Sequence, residues 1–277
     1  MDGFGTSPVF RHYREALGKN NVQLAVIDED DNLDFVKEND IVLLRTASER
    51  IINTIREKRI KTTAEDFNTY ESVRDKLGLA KFLSQRNVLV PRQYSIDEVT
   101  EGKIYFVKPR YGSDSMGITS KNKCSSKTEI TEVLSVIKLT EGQECVIEDF
   151  IDGEECTVAC LSHNGEVYTY PIGIECSETD GIQTRACKVG FKEYCHSLNI
   201  DDSLTLKGIA ENVFILLGIK HHARIDFRKG RNGKFYLIDV NLLPGLGIQD
   251  HFAKSLLLTQ NYSYIDTIRA IIGSATK

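Results

Sequence analysis

The sequence lacks several features that would assign the chain to a class at once. Its seven cysteines include no CxxC pair, no apolar run reaches membrane-span length, and no basic-led apolar segment stands at the N-terminus. An odd number of scattered cysteines is typical of reduced thiols in the core rather than of a disulfide framework or a zinc site. The missing apolar segments argue against export and membrane insertion. We therefore expect a cytoplasmic protein without a membrane partner.

A surplus of positive charge is also missing. The formal net charge is −5, from 35 basic and 40 acidic residues interspersed over 277 positions. A general binder of nucleic-acid phosphates carries a basic patch, so we expect no nucleic-acid partner. Hydrophobic residues make up 41% of the chain, which is enough for globular cores. The length exceeds that of a usual single domain, so we expect two or three compact units. These units should share contacts, because no repeat or long linker separates them.

Neither common nucleotide-binding fingerprint is present. The P-loop order is absent, and Gly3 and Gly5 follow no strand, so they make no dinucleotide site. A strand ending at Lys108 does run into a loop of small residues, namely Gly112, Ser113, Asp114, Ser115 and Gly117. Converging backbone amides beside a lysine suit phosphate oxygens. Ordinary turn chemistry explains the same residues equally well.

The most informative stretch runs from Ala223 to Gly247. Two runs of alternating apolar and polar residues flank Asn232-Gly233, which favours a hairpin with a two-residue turn in which Arg231 faces Lys234. That register places polar residues on one face in two opposed pairs, Asp226 with Asp239 and Arg224 with Asn241. The apolar residues of the other face are expected in a core: Ile225, Phe227, Ile238 and Val240.

Directly opposed carboxylates repel each other unless a positive charge lies between them. Mg²⁺ binds carboxylate and amide oxygens and leaves positions for substrate phosphates. We therefore predict a divalent cation at Asp226, Asp239 and Asn241. The alternative is a solvated strand face on which Arg224 neutralises an acid.

Around this hairpin the pattern alternates between helix and strand. The first 70 residues predict a small doubly wound α/β unit, with helices at Phe10 to Leu17 and Ser48 to Lys58 and strands at Val22 to Asp28 and Asp40 to Thr46. One helix is predicted from Asn68 to Asn87. It contains Lys76, for which a surface lysine is the alternative to a functional role.

The second half is predicted to hold a helix near Lys127 to Ile137, three strands up to about residue 174, and a helix capped by Asp202 or Ser203. Residues 175–194 are polar and lack periodicity, which predicts a mobile loop over a site. Lys188 is its candidate functional residue, with a solvated lysine as the alternative. His221-His222 is interpreted as the start of a strand rather than a metal site.

Four stretches in order resemble the motifs of the ATP-grasp superfamily, and within it the D-alanine:D-alanine ligase branch. They are K-P-R-Y-G-S-D-S-M-G from Lys108, E-D-F-I-D-G-E-E-C-T-V from Glu148, A-R-I-D-F from Ala223 and D-V-N-L-L-P-G from Asp239. The resemblance covers residues 70–272 and implies a mixed α/β and α+β fold that grips ATP between two α+β subdomains. It implies an N-terminal domain over 1–70, a small subdomain over 71–152 and a large subdomain with metal site and lid loop over 153–277.

The resemblance also implies roles for individual residues. ATP would be bound by Lys76, Lys108, Ser113, Ser115, Glu148, Phe150, Ile151 and Glu155, and one or two Mg²⁺ or Mn²⁺ ions by Asp226, Asp239 and Asn241. Lys188 would close on the γ-phosphate, while Arg224 and the Gly245 amide would stabilise an oxyanion. From the residues alone, Glu148 and Glu155 also fit an adenine edge and a ribose, although exposed acids beside a turn would give the same pattern.

The implied reaction is an ADP-forming ligation of a small-molecule carboxylate to an amine through an acyl phosphate. The alternatives are a D-alanine:D-alanine ligase proper, a kinase on the same fold, and an ATP-binding regulatory protein without turnover. A homodimer is one assembly that the resemblance allows.

The departures from the motifs bear on the substrates. Asp239 replaces the metal-binding glutamate of the family, and Asp114 replaces a serine of its phosphate loop. The family's N-terminal signature for the first D-alanine is missing, and the first unit echoes a shorter D-x-V-x-x-R pattern at Asp40 to Arg45. Asp250 stands where a serine helps to hold the second substrate's carboxylate.

An acid at that position repels a carboxylate and attracts a cation. We therefore expect the acceptor to be an amine without an adjacent carboxylate, or a basic amino acid, rather than D-alanine. The alternative is that Asp250 turns outward and only marks the start of a helix.

Overall fold

The computed structural model describes residues 8–18, 33–112, 115–176, 182–184, 187 and 193–275. Within them the backbone forms three β-sheets, of two, four and five strands. One sheet falls in each of the three stretches predicted as domains, and the boundaries at residues 70 and 152 stay predictions. The predicted strand at Val22 to Asp28 lies outside the described residues.

The N-terminal unit is the small α/β element that the sequence predicts. It comprises α1 (Pro8–Gly18), β1 (Ile41–Val42), α2 (Glu49–Glu57) and β2 (Lys61–Thr62), with β1 and β2 parallel. Its core lies between α2 and the segment around Leu44. The strand predicted up to Thr46 is shorter, because the Leu44 N–H bonds the Thr63 hydroxyl at 3.3 Å instead of continuing the ladder.

The second part of the chain forms a four-stranded sheet with its helices. Its elements are α3 (Phe67–Arg74), α4 (Lys76–Ser84), β3 (Gln93–Tyr94), β4 (Tyr105–Pro109), β5 (Lys123–Cys124), α5 (Lys127–Glu141) and β6 (Cys145–Asp149). The sheet is antiparallel, in the order β3-β6-β4-β5. Helix α5 covers it through Ile130, Val133 and Ile137.

The single helix predicted from Asn68 to Asn87 is wrong, because Asp75 divides it. Asp75 has extended backbone angles, and its side chain caps α4 by accepting the Leu77 N–H at 3.2 Å. Both of its oxygens also accept 2.7 Å hydrogen bonds from Arg110. The break makes Lys76 the first residue of α4.

We expect Asp75→Ala to destabilise the protein, by about 1 kcal/mol from the lost cap alone. The Arg110 hydrogen bonds hold the pKa of Asp75 below its usual value. A depressed folded-state pKa contributes stability above the unfolded value of about 3.9, and this contribution is lost as the pH falls through the folded pKa. Urea unfolding of wild type and variant should therefore differ at pH 7 and converge towards pH 3. A difference that does not change with pH would contradict the pairing.

The third part of the chain forms a five-stranded sheet with its helices. Its elements are β7 (Glu155–His163), β8 (Glu166–Cys176), β9 (Glu193–His196), α6 (Ile200–Leu216), β10 (His222–Lys229), β11 (Phe235–Asn241), α7 (His251–Gln260) and α8 (Tyr264–Gly273). The sheet has the order β11-β10-β7-β8-β9 and is also antiparallel. Helix α6 packs on one face, together with α3 and α4, and helices α7, α8 and α1 pack on the other.

Helix α6 begins earlier than predicted. Its N-cap is Asn199, whose side chain accepts the Asp202 N–H at 3.0 Å, rather than Asp202 or Ser203. The Asp202 carboxylate instead binds the Lys229 ammonium at 2.5 Å. This ion pair joins the first turn of α6 to the end of β10.

The hairpin of β10 and β11 has the predicted register at its polar end and a different one at its turn. Arg224 pairs with Asn241 and Asp226 with Asp239, as expected. A β-bulge then shifts the register, so that Phe227 pairs with Leu237 and the loop has three residues between Gly230 and Lys234. The predicted facing of Arg231 and Lys234 is therefore wrong.

Five of the seven cysteines are buried, as expected of core residues. None of the helices in the described part of the chain combines the length and the apolar character needed to cross a bilayer.

Candidate active site

A cleft lies where the four-stranded sheet faces the five-stranded one, with about 860 Å³ of empty space including its mouth. Successive side chains of β10 alternate between two environments. Ala223, Ile225 and Phe227 enter the core against α6. Arg224, Asp226 and Arg228 line the cleft instead. The polar face predicted from the alternation is therefore the wall of the cleft.

Asp226 and Arg224 form a buried ion pair in this wall. Arg224 donates from Nε to Oδ1 at 2.9 Å and from Nη2 to Oδ2 at 2.8 Å, and the Thr157 hydroxyl donates to Oδ1 at 2.6 Å. Burial alone would lower the pKa of Arg224, but the Asp226 carboxylate reverses the direction and raises it. Arg224 is thus a fixed cation at the centre of the cleft.

Asp239 faces the same space from β11. Its Oδ1 lies 3.7 Å from the Lys76 Nζ, so the two opposed carboxylates are neutralised by different cations. Asn241 is turned differently, because its Oδ1 accepts the Leu243 N–H at 2.9 Å. No cluster of three or more His, Cys, Asp or Glu side chains suited to a metal occurs in the described residues. A cation here would therefore be held mainly by two carboxylates, which fits Mg²⁺ that keeps water and phosphate ligands.

Two lysines enter the cleft from the four-stranded side. Lys76 donates to the Gly112 carbonyl at 2.6 Å and its side chain is 12% exposed, so the surface-lysine interpretation is wrong. Lys108 binds Glu148 Oε1 at 2.7 Å and the Ile238 carbonyl at 2.9 Å. Burial raises the pKa of Glu148, and the Lys108 ammonium opposes that rise.

An aromatic residue marks the far end of the cleft. The Phe150 ring lies 6.2 Å from that of Phe106 and has the Arg228 guanidinium 5.1 Å from its centroid. Arg228 also lies 3.5 Å from Glu155. The N–H of Ile151 has no hydrogen-bond partner among the described residues. An open backbone donor beside an aromatic ring suits the edge and face of a nucleobase.

Ser115 and Gly112 of the predicted phosphate loop line the cleft, whereas Ser113 and Asp114 lie outside the described residues. Lys188 also lies outside them. From the predicted loop over the site, Ile182 and Gln183 are described, and both line the cleft. The two ends of the predicted loop are strands instead, since residues 175–176 belong to β8 and residues 193–194 begin β9.

Gly245 and Asp250 meet beyond Asn241. A Cβ on Gly245 would lie 2.6 Å from Asp250 Oδ2, so the Asp250 carboxylate packs directly against the Gly245 backbone. The same Oδ2 accepts the Gly247 N–H at 2.6 Å, and the side chain makes no capping bond to α7. Asp250 therefore turns towards the Gly245 loop rather than outward.

Sequence reasoning missed Arg228 and Phe106 and misplaced Ile238. Arg228 follows Arg224 and Asp226 at the same strand period, so the alternation alone would have found it. Ile238 was predicted in the core but lines the cleft, because the bulge adds one residue to β11 at this point. Only packing between the sheets reveals Phe106.

Comparisons with known proteins agree with this geometry. A family model described as D-Ala D-Ala ligase C-terminus matches residues 81–272. The D-alanine–D-alanine ligase of Flavobacterium johnsoniae is 31% identical over 143 residues, 51% of this chain and 43% of that protein. That of Francisella tularensis subsp. novicida is 28% identical over 195 residues, 68% of this chain and 62% of that protein. The chain thus spans about half the length of the curated relatives it matches.

Solved structures resemble the whole described fold. The D-alanine–D-alanine ligase of Bacillus anthracis, complexed with ATP, superposes with a TM-score of 0.75 at 18% identity, covering 99% of this chain and 94% of that chain. VanG D-Ala:D-Ser ligase of Enterococcus faecalis gives 0.65 at 18% identity, covering 82% and 69%. Such likeness at low identity concerns the fold, and the predicted ATP-grasp fold is confirmed.

Proposed function

Since the chain belongs to the D-alanine–D-alanine ligase family, we propose that it is an ATP-dependent, ADP-forming ligase that joins a small-molecule carboxylate to an amine. One observation carries the proposal. Two opposed carboxylates, the fixed Arg224 cation, the buried Lys108 and the half-buried Lys76 converge in one cleft. A protein that only bound nucleotide would have no use for an arginine held away from the nucleobase end of the site.

In the proposed reaction a substrate carboxylate attacks the γ-phosphate of ATP, which releases ADP and leaves an acyl phosphate. The amine then attacks the activated carbonyl and phosphate leaves. Lys76 and Lys108 neutralise phosphate charge, and Arg224 with the Gly245 amide stabilises the oxyanion of the second step. Asp226, Asp239 and Asn241 would hold Mg²⁺ or Mn²⁺, which would supply further charge neutralisation at the phosphates.

The remaining predicted residues are assigned to ATP in the same proposal. The Phe150-Ile151 backbone holds the adenine edge, supported by the open Ile151 N–H and the adjacent ring. Glu155 is assigned to the ribose, Ser113, Ser115 and Lys188 to the phosphates, and Asp114 to the substrate. Glu148 serves here mainly as the counter-ion of Lys108. A cytoplasmic location and a homodimer stay predictions.

The test is ADP release with Mg²⁺ and ATP across a matrix of carboxylates and amines, with products identified by mass. Release that requires both partners and yields their sum minus water is expected for the ligase. Release with one partner and a phosphorylated product would indicate a kinase. D-alanine dipeptide as the preferred product would identify a D-alanine:D-alanine ligase proper, and ATP binding without release on any pair would contradict turnover.

We further propose that Asp250 disfavours D-alanine as the acceptor, because its carboxylate turns towards Gly245. Asp250→Ser is expected to lower kcat/KM for the preferred basic acceptor by about tenfold, the value of one charge-assisted contact. Use of D-alanine should rise in the same variant. Asp250→Asn, which keeps the shape, is the matched control for charge. An acceptor profile that neither variant changes would remove Asp250 from substrate selection.

A further inference from the structure

The first turn of helix α7 lacks the usual side-chain cap. Asp250 stands at the N-cap position, yet its carboxylate accepts the Gly247 N–H at 2.6 Å and makes no bond to the helix. A helix start without a capping side chain is held less firmly than a capped one. The position of this helix start therefore depends on another contact.

That contact comes from the edge strand of the five-stranded sheet. His251 is the first residue of α7, and its Nε2 lies 2.7 Å from Oε2 of Glu193, the first residue of β9. Both side chains are only 8% exposed. The two residues are 58 positions apart in the chain, so only the fold brings them together.

Glu193 lies on the same face of the sheet as the cleft residue Arg224. It pairs with Cys176 of β8, which shares one side of that strand with Tyr170. Tyr170 pairs with Ala159 of β7, and Ala159 pairs with Arg224. Helix α7 packs on this face. The hydrogen bond from Glu193 therefore lies between α7 and the cleft side of the sheet.

The pair is poorly suited to a purely stabilising role. The second carboxylate oxygen of Glu193, Oε1, is buried and has no hydrogen-bond partner among the described residues. A buried oxygen without a partner is unfavourable. Replacement of a buried ionisable pair by apolar side chains is often neutral for stability. The geometry that the pair holds is therefore the better reason for it.

A short relay leads from His251 to the loop that contains the proposed oxyanion donor. Asp250 precedes His251, and its Oδ2 packs directly against the Gly245 backbone while it accepts the Gly247 N–H. The Gly247 carbonyl in turn accepts the Asp250 N–H at 3.0 Å. These two bonds tie the loop to the helix start. A shift of the first turn of α7 should therefore displace Gly245.

Other contacts hold the rest of this loop. The Asn241 Oδ1 accepts the Leu243 N–H at 2.9 Å, and the Leu246 carbonyl accepts the Tyr264 hydroxyl at 2.7 Å. The Leu246 side chain is buried in the core beneath α7 and α8. The loop should therefore stay folded without Glu193, and only its exact position should change.

We propose that Glu193 is a positioning residue, which acts through His251 and Asp250 to place the Gly245 amide for the second step of ligation. This inference rests on the proposed ligase and adds a residue that contacts neither ATP nor substrate. A displacement of about 1 Å at a catalytic group can slow a reaction about 100-fold. Phosphoryl transfer in the first step depends on Lys76 and Lys108 instead, so it should not depend on Glu193.

The test measures the two steps separately by rapid quench. Enzyme is mixed with ATP, Mg²⁺ and the best carboxylate–amine pair of the matrix described above, and ADP and product are followed over the first turnover. Glu193→Leu should release ADP at the wild-type rate and form product about 10- to 100-fold more slowly, with an unchanged KM for ATP. Glu193→Gln keeps an acceptor for His251 and should recover most of the product rate.

Three further variants test the pair itself. His251→Leu should have the same effect as Glu193→Leu, and the double variant should be no slower than either, because all of them break one contact. Glu175→Leu is the matched control, since this side chain of the neighbouring strand β8 is 69% exposed. It should leave both steps unchanged. ADP release and product formation that slow equally in Glu193→Leu, together with a lower thermal midpoint, would indicate a general structural role and overturn the inference.

Hydrogen exchange distinguishes this inference from the ligase proposal. The peptide over residues 243–250 contains the Gly247 N–H that Asp250 holds. Its exchange should be about tenfold faster in Glu193→Leu than in wild type, whereas exchange in β10 and β11 should stay the same. That result supports the relay even if no substrate pair releases ADP, in which case the ligase proposal alone fails. Equal exchange of this peptide in wild type and Glu193→Leu overturns the inference.

Discussion

Arg224→Gln is expected to lower the rate of ADP-coupled ligation by about 10²- to 10³-fold, the usual effect of removing one oxyanion donor. The guanidinium sits at the centre of the cleft, fixed by Asp226 and buried to about nine-tenths of its side chain. ATP lies on the other side of the carboxylate pair in the proposed site. Its affinity should therefore change little, as calorimetry with ATP and Mg²⁺ will measure.

Arg224→Gln should also change the Mg²⁺ requirement of ATP binding, and here the variant should gain rather than lose. Arg224 occupies both oxygens of Asp226, so its removal frees a carboxylate for Mg²⁺ and should lower the Mg²⁺ concentration needed for ATP binding. Arg224→Lys is the control, since it keeps the charge without the planar fork. Turnover by Arg224→Gln within about tenfold of wild type would remove Arg224 from the reaction.

Lys108→Met is expected to destabilise the protein by about 3–5 kcal/mol, because it leaves the buried Glu148 carboxylate without a counter-ion. Glu148 is 4% exposed, and its partner is bound at 2.7 Å. Urea unfolding at pH 7 measures the loss. The double variant Lys108→Met, Glu148→Gln should recover most of it, since no charge then remains unpaired.

ATP binding distinguishes the stability of the pair from its function. The double variant should unfold nearly like wild type and still bind ATP poorly, because the phosphate-neutralising ammonium is gone. Glu148→Gln alone, which keeps Lys108, should bind ATP more tightly than the double variant. A double variant that recovers both stability and ATP affinity would make the pair purely structural.

The polar face of the hairpin was predictable because alternation is a property of each strand by itself. The pairing of Asp226 with Asp239 also came out as expected, but through two offsetting differences. The loop holds one residue more than the Asn232-Gly233 signal indicates, and the bulge absorbs it. Sequence pattern does not reveal a bulge, since it is selected by contacts such as the one between Lys108 and the Ile238 carbonyl.

Other features depend on partners far along the chain. Asp75 breaks a helix that its neighbours would continue, and Arg110, which holds it, lies 35 residues away. The motifs located most of the residues that line the cleft, whereas Phe106 emerged only from tertiary packing.

The bulge at Ile238 gives the hairpin a tolerance for change in length. It stands between the opposed carboxylates and the Gly230–Lys234 loop, and the register on its catalytic side is already independent of that on its loop side. Residues gained or lost at the loop tip can be absorbed there without rotating Asp226 or Asp239 out of the cleft. The tip is therefore a natural place to graft a peptide or label.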